Sequence, residues 1–224
     1  EVKDGMKVTL IGKLSIYSSN GSYQFIASRI IPIGVGELEL AFNQLKERLA
    51  LAGLFDKIHK KPLPKYPNKI GIITSASSAA FADMCRVISN RYILPKFYLF
   101  NSLVQGNSAP ENLIKMLKLA DSMELDAIVI ARGGGSKEDL WCFNDEALAY
   151  AIYEAKTPII SAVGHEIDYS ISDFVADHRS LTPTAAMVDL LPDSNELYQK
   201  LDIIQNTLEA IISSKFNKCE SYLN

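Results

Sequence analysis

Ala127-Ile128-Val129-Ile130-Ala131-Arg132-Gly133-Gly134-Gly135-Ser136 is the stretch on which the fold turns. A short apolar run without polar alternation reads as a strand covered on both faces, as in a parallel sheet. The three glycines that follow permit positive φ and close backbone approach, so successive N–H groups can form an anion nest. Ser136 with Asp139 three residues on fits a capping box, which starts a helix behind the nest. Arg132 stands at the strand tip, where its planar fork can hold a phosphate through two hydrogen bonds. The pattern fits nucleotide, sugar-phosphate or nucleic-acid phosphate equally well.

The same strand-then-helix pattern recurs on either side. Strands are expected at Ile70–Ser75, Lys96–Leu103, Ala127–Arg132 and Pro158–Val163, with helices at about 78–91, 110–121 and 144–155. Four parallel strands joined by helical crossovers make a doubly wound α/β domain over residues 69–191. In such sheets ligands sit beyond the carboxyl ends of the strands, so the residues after each strand are the ones to read.

After the first strand, Thr74-Ser75-Ala76-Ser77-Ser78 is a small, hydroxyl-rich turn suited to a helix N-terminus that meets a phosphate. Asp83 follows in the early turns of that helix, either as a site residue or as an offset to the helix dipole. After the last strand comes Val163-Gly164-His165-Glu166-Ile167-Asp168. His165 can act as a general acid or base near neutral pH, and Asp168 can orient it or hold a cation. Asp173 and Asp177, spaced i,i+4 in a helix ended by His178 and Arg179, read as a solvated acidic face. Thr182-Pro183-Thr184-Ala185 reads as a helix start. These residues support a phosphate-handling site; they say neither DNA nor hydrolysis.

The flanks differ in kind. Met6–Tyr17 and Tyr23–Ile31 are β-prone runs around Asn20-Gly21, a strong hairpin signal. A hairpin alone is marginal in water, so it is expected to belong to a larger β-domain. A helix is expected at about 37–51, with Gly53 as its stop. Lys57–Lys69 has five lysines, three prolines and no acid. It fits a solvated extended linker and a track for a phosphate backbone alike, with Lys60 and Lys61 as candidate contacts. At the far end Leu197, Leu201, Ile204, Leu208 and Ile211 step by 4, 3, 4 and 3, a heptad seam that fades at Lys215 and Lys218.

Composition excludes some classes. With 224 residues, net charge −3 and pI about 5.7, the chain is no globally basic nucleic-acid binder, so any DNA contact must be local. Cys85, Cys142 and Cys219 are far apart and form no C-x-x-C pair, which argues for reduced thiols and against a zinc cluster. No apolar run nears the roughly 18 residues of a membrane span, and no signal peptide is visible. A cytoplasmic protein is expected, with both ends belonging to a longer chain.

Three motifs together are specific. Arg132-Gly-Gly-Gly-Ser-x-Glu-Asp-Leu-Trp-x-Phe-Asn144-Asp145-Glu146 is followed by Ser161-Ala-Val-Gly-His165-Glu-x-Asp168. Then comes Asp173-Phe-Val-Ala-Asp177-x-Arg179-x-x-Thr182-Pro183-Thr184-Ala185-Ala186. With Lys61-Pro62-Leu63-Pro64 and Gly71-Ile-Ile-Thr74-Ser75…Asp83, they closely resemble exodeoxyribonuclease VII large subunits over nearly the whole chain. Ile167 departs from the threonine common at that place.

The resemblance implies an exodeoxyribonuclease that hydrolyses single-stranded DNA from either end into oligonucleotides. It implies that residues 1–33 are the tail of a DNA-binding OB-fold and 34–68 a helix and basic linker. Residues 69–191 would then be the catalytic domain, and 192–224 the start of a long coiled coil that recruits small subunits, with a homo-oligomer expected. The matching functional positions are Asp83, Arg132, His165 and Asp168, with Ser75, Gly133, Gly134, Gly135 and Ser136 around the phosphate. Asp83 and Asp168 are candidates for holding Mg²⁺ or Mn²⁺, and the metal requirement is left open. The rival readings are a non-catalytic single-stranded-DNA-binding module and a sugar-phosphate or nucleotide enzyme built on the same glycines.

Overall fold

The computed structural model describes residues 8–17, 22–32, 35–134, 138–164 and 169–223. The chain divides into two compact units, Glu1–Gly53 and Leu54–Asn224.

The first unit holds an antiparallel hairpin of β1 (Val8–Tyr17) and β2 (Ser22–Pro32), then α1 (Val35–Leu51). The Asn20-Gly21 turn lies outside the described residues, but the Tyr17↔Ser22 pairing brackets it. The register shifts between Ile11 and Gly12, where a Cβ on Gly12 would lie within 2.9 Å of the Ala27 Cα. Only glycine lets the strands approach at this irregularity. Gly53, at φ 80°, ends α1 as expected: its N–H bonds to the Ala50 carbonyl at 3.0 Å.

The second unit is built on a five-stranded parallel sheet. Its strands are β3 (Lys69–Thr74), β4 (Lys96–Asn101), β5 (Ala127–Ala131), β6 (Ile159–Ala162) and β7 (His178–Arg179), in the order β4-β3-β5-β6-β7. Every residue of β5 and β6, and all of β3 but Lys69, is buried, which is why these strands read as unbroken apolar runs. The helices are α2 (Ala79–Arg91), α3 (Ala109–Asp121), α4 (Glu146–Glu154), α5 (Ile171–Val175), α6 (Pro183–Leu190) and α7 (Ser194–Leu223).

Alternate strand residues pack on opposite sides of the sheet. Ile70, Ile72, Ala127, Val129, Ala131, Ile160 and Ala162 share one core with Met84 of α2 and Ala186, Met187 and Leu190 of α6. On the other side α3 packs on β3 and β4, α4 on α3, and α5 on α4. Helices thus flank both faces, as the doubly wound reading requires.

Two expectations need correction. The sheet has five strands, not four. The fifth, His178–Arg179, was read as a helix end, but α5 stops at Val175 and the chain pairs beside Ile160 and Ser161 of β6. Asp173 and Asp177 form no solvated face either. Asp173 is 4% exposed, closes a capping box with Ser170 and accepts from the Ser161 hydroxyl at 2.6 Å. The Asp177 carboxylate accepts from the N–H groups of Lys61 and Ile159, each at 2.7 Å, and pairs with the Lys61 ammonium at 3.3 Å.

These bonds revise the lysine-rich segment as well. Lys60 donates to the carbonyls of Phe174 at 2.9 Å and Ala176 at 2.6 Å, and Lys61 to that of Ala155 at 2.9 Å. Each ammonium thus has partners within the fold, which gives Lys60 and Lys61 an anchoring role in this segment. Leu63 packs against the core beside them.

At the other end, Arg91 of α2 moors the root of α7. Its Nε donates to the Leu191 carbonyl at 2.8 Å and its Nη1 lies 3.3 Å from the Asp193 carboxylate. Farther along α7, Leu201, Ile204, Leu208 and Ile211 are all about half exposed or more. No helix among the described residues is long and apolar enough to cross a membrane.

Candidate functional site

In the order β4-β3-β5-β6-β7 the connections reverse direction between β3 and β5, and ligands bind at such a switch point. A cavity of about 650 Å³ opens there, within the size range of small-ligand sites. Ser75 comes to it from the end of β3, Ser78 and Asp83 from α2, and Arg132, Gly133 and Gly134 from the end of β5.

Local chemistry shapes the α2 side. The Ser78 N–H bonds to the Ser75 carbonyl at 3.0 Å, and the Ser78 hydroxyl accepts from the Phe81 N–H at 3.1 Å, capping α2. The N-terminal end of α2 therefore faces the cavity with its positive dipole. Asp83 is the fifth residue of the helix, beyond the first turn in which a dipole offset acts. Its carboxylate meets Arg86 Nη1 at 3.0 Å, and both side chains are well exposed.

Arg132 is the unusual member. It directly follows β5, where its N–H bonds to the Ala162 carbonyl at 3.2 Å, and its side chain is only 3% exposed. Nη2 lies 3.3 Å from an oxygen of Asp139, but Nη1 is buried with no hydrogen-bond partner among the described residues. Leaving a buried polar donor unpaired costs about 1–3 kcal/mol, more when it is charged. Native folds retain few such atoms, and functional sites are among the places that do. A second orphan, the Thr74 hydroxyl, is buried at the end of β3. Arg132 and Thr74 thus stand at carboxyl ends of neighbouring strands, where an anion would supply the missing acceptor.

Of the two freedoms expected of these glycines, Gly133 shows close approach and not positive φ. Neither Gly133 nor Gly134 takes the left-handed region. Gly133 is favoured by closeness: a Cβ there would sit a tight 3.3 Å from the Ala80 Cβ. It lets the loop after β5 close on the start of α2. Gly135 and Ser136 lie outside the described residues, so the expected Ser136 cap does too. The Asp139 carboxylate assigned to that cap is the partner of Arg132.

His165 and Asp168 also fall outside the described residues. Val163 and Gly164, which precede them, leave β6 beside Arg132 at the same sheet edge. Among the described residues no group of three His, Cys, Asp or Glu side chains comes together to hold a metal, and Asp83 is the single carboxylate on the cavity wall. These residues alone do not make a divalent-cation site.

One wall of the cavity was not anticipated. Thr182, Pro183 and Thr184 line it from the start of α6, and Gln105 from the loop after β4. Reading the residues after each strand could not find α6, because the strand before it is only two residues long. The Thr-Pro-Thr helix start was visible, but its destination was not.

A family profile described as "Exonuclease VII, large subunit" matches residues 54–224. The chain is 63% identical to the exodeoxyribonuclease 7 large subunit of Campylobacter fetus, with 100% of this chain and 58% of that protein covered. It is 58% identical to the corresponding protein of Campylobacter hominis, over 99% of this chain and 57% of that one. With that of Nautilia profundicola the identity is 51%, over 99% and 51%. The chain spans little more than half the length of these relatives.

Proposed function

Because this chain belongs to the exonuclease VII large-subunit family, we propose that it is the catalytic core of an enzyme that hydrolyses single-stranded DNA into oligonucleotides. The observation that carries the reading is Arg132: a buried guanidinium with one terminal nitrogen held by Asp139 and the other lacking an acceptor among the described residues, on the wall of a cavity at the switch point. A phosphodiester oxygen is the acceptor this arrangement lacks.

In this reading Arg132 binds the scissile phosphate and stabilises the charge that grows on it as water attacks phosphorus. The N-terminus of α2 adds its dipole. His165 serves as the general acid or base, moving a proton between water, phosphate and leaving oxygen. Asp83 and Asp168 position water or the imidazole. The hairpin unit forms part of an OB-fold that holds unstacked bases. The α7 seam begins a coiled coil that takes small subunits. The assembly works in the cytoplasm.

The test uses the full-length large subunit with its small subunit, given end-labelled single-stranded DNA and blunt duplex. Short oligonucleotides from the single strand and an intact duplex are expected. Equal digestion of both would overturn the substrate reading. Binding without products would favour a non-catalytic module, and no DNA binding would favour a sugar-phosphate enzyme.

A further inference from the structure

We infer that a neutral recess beside the Arg132 cavity receives one unpaired base flanking the scissile phosphate. Leu103 is its apolar wall, and the side-chain amides of Asn101 and Asn112 are its donors. This subsite rests on the proposed function and adds to it a determinant of single-strand selectivity.

The recess lies at the carboxyl ends of β3 and β4 and measures about 390 Å³, within the range of small-ligand sites. Ser75 and Leu103 line both this recess and the Arg132 cavity, so the two share a wall. Their chemistry differs. The cavity carries Arg132 and Asp83, whereas no described residue lining the recess is charged. A phosphate would find no counter-charge there. A neutral group with an apolar face and polar edges is what the recess suits.

Two hydrogen bonds fix which way the amides point. The Ala76 N–H donates to Asn101 at 2.9 Å, and the Leu103 N–H donates to Asn112 at 3.3 Å. A backbone N–H can only donate, so the amide atom that meets it is Oδ1 in each case. Each Nδ2, with its two hydrogens, is left to the recess that its residue lines. Bases present the matching acceptors: guanine O6 and N7, adenine N7 and the carbonyl oxygens of the pyrimidines.

Leu103 supplies the apolar surface. It is 53% exposed, yet its backbone is tied down. The Ser102 N–H bonds to the Thr74 carbonyl at 3.0 Å, continuing the pairing of β4 with β3. The buried Ser102 hydroxyl lies 3.1 Å from the Leu103 carbonyl and 3.0 Å from Asn112 Oδ1. An apolar side chain held in the open between a phosphate cavity and a polar recess is placed to pack on the face of a base. Enzymes read extruded bases in this way, by hydrogen bonds to an edge and apolar contact with a face. A base so held cannot also be stacked and paired in a duplex.

The experiment uses the full-length large subunit with its small subunit. The substrates are short single strands in which one residue at a time keeps its sugar and loses its base, with cleavage at each linkage mapped by product length. A neutral hydrogen bond is worth roughly 2- to 10-fold, and the apolar contact adds to it. Wild type is therefore expected to cut about tenfold more slowly at a linkage whose flanking base on one side is missing. Leu103→Ala and Asn101→Asp each remove one of the two contacts, so each should respond to the missing base by only about threefold. Asn101→Asp keeps the acceptor for the Ala76 N–H, and its added charge acts on intact and abasic strands alike. Leu103→Met, which keeps the apolar bulk, should keep the wild-type ratio.

The ratio of rates on two substrates does not depend on how much of a preparation is folded, so a destabilised variant still gives an answer. Equal wild-type rates beside intact and abasic residues would overturn the subsite. So would the full wild-type ratio in either Leu103→Ala or Asn101→Asp. Both results leave the Arg132 reading standing, because that is tested by substituting Arg132 itself. No cleavage of any strand would overturn the proposed function and the subsite together.

Discussion

Asp139 holds one arm of Arg132: Oδ2 lies 3.3 Å from Nη2, while Nη1 of the same guanidinium is buried without an acceptor among the described residues. Asp139 is 39% exposed and Arg132 3%, so the pair joins a fixed cation to a partly solvated anion. Its value lies in orientation, since partly exposed pairs add little stability. Asp139→Ala in the complete enzyme should lower kcat about tenfold or more, with KM unchanged or lower, because a negative charge beside the DNA is lost. Asp139→Asn, which can still accept a hydrogen bond, should recover part of kcat. A rise in KM at constant kcat would show that Asp139 acts on binding and not on the fork.

The lysine-rich segment gives a prediction about stability. The Asp177 carboxylate is 5% exposed and satisfies two backbone N–H groups as well as the Lys61 ammonium. Asp177→Ala orphans those donors at about 1–3 kcal/mol each. Thermal melting should show a fall of many degrees. Lys60→Ala should also lower the midpoint, by a smaller amount, while DNA affinity and its salt dependence stay near wild type. A weaker salt slope at unchanged stability would return Lys60 to the DNA-contacting role.

Asp121 makes the stability depend on pH. Burial raises its pKa, but hydrogen bonds from the N–H groups of Thr157 and Lys156, together with the Lys156 charge, outweigh burial and hold it below the ordinary 3.8. A carboxylate depressed by folding stabilises above its unfolded value, and that contribution is lost as pH falls through the folded value. Asp121→Asn should therefore be less stable than wild type at neutral pH, and the gap should close below about pH 3.8. A constant gap across that range, measured by denaturant titration, would contradict this.

The thiols offer a labelling test. Desolvation pushes the Cys142 pKa up to about 11, so it stays a thiol at neutral pH. It is buried, whereas Cys85 is partly open. Native protein treated with iodoacetamide should be modified at Cys85 well before Cys142, as peptide mass spectrometry would show. Equal rates would mean that the short helix at Glu138–Asn144, which carries Cys142, opens readily.

The parts of this fold that could be read in advance are those whose causes are local. Ile70–Ile73, Ala127–Ala131 and Ile159–Ala162 announce themselves because strands buried on both faces leave no polar alternation. Ser75, Asp83 and Arg132 were legible because a parallel sheet presents its strand ends at one edge. What failed was non-local. One of the two backbone hydrogen bonds to Asp177 comes from Lys61, over a hundred residues away in sequence. His178–Arg179 is a strand because β6 offers it an edge, and two residues carry no periodicity of their own. Thr184 enters the cavity because α6 packs on α2. Of the two freedoms expected of Gly133, positive φ and close approach, the structure shows close approach.

Arg132 is the residue on which the account stands or falls. The measurement is turnover of single-stranded DNA and thermal midpoint on one preparation of full-length Arg132→Ala and Arg132→Lys with the small subunit. Losing a preorganised donor to developing charge costs about 10²–10³ in turnover. Lysine should rescue little, because an ammonium cannot bond Asp139 and a phosphate with the same planar fork. The midpoint of Arg132→Ala should hold or rise, since the buried unpaired nitrogen is a cost to the fold. A hundredfold loss of turnover at an unchanged midpoint is the predicted result. Near-wild-type turnover, or turnover that falls only in step with the midpoint, would contradict the phosphate-binding role.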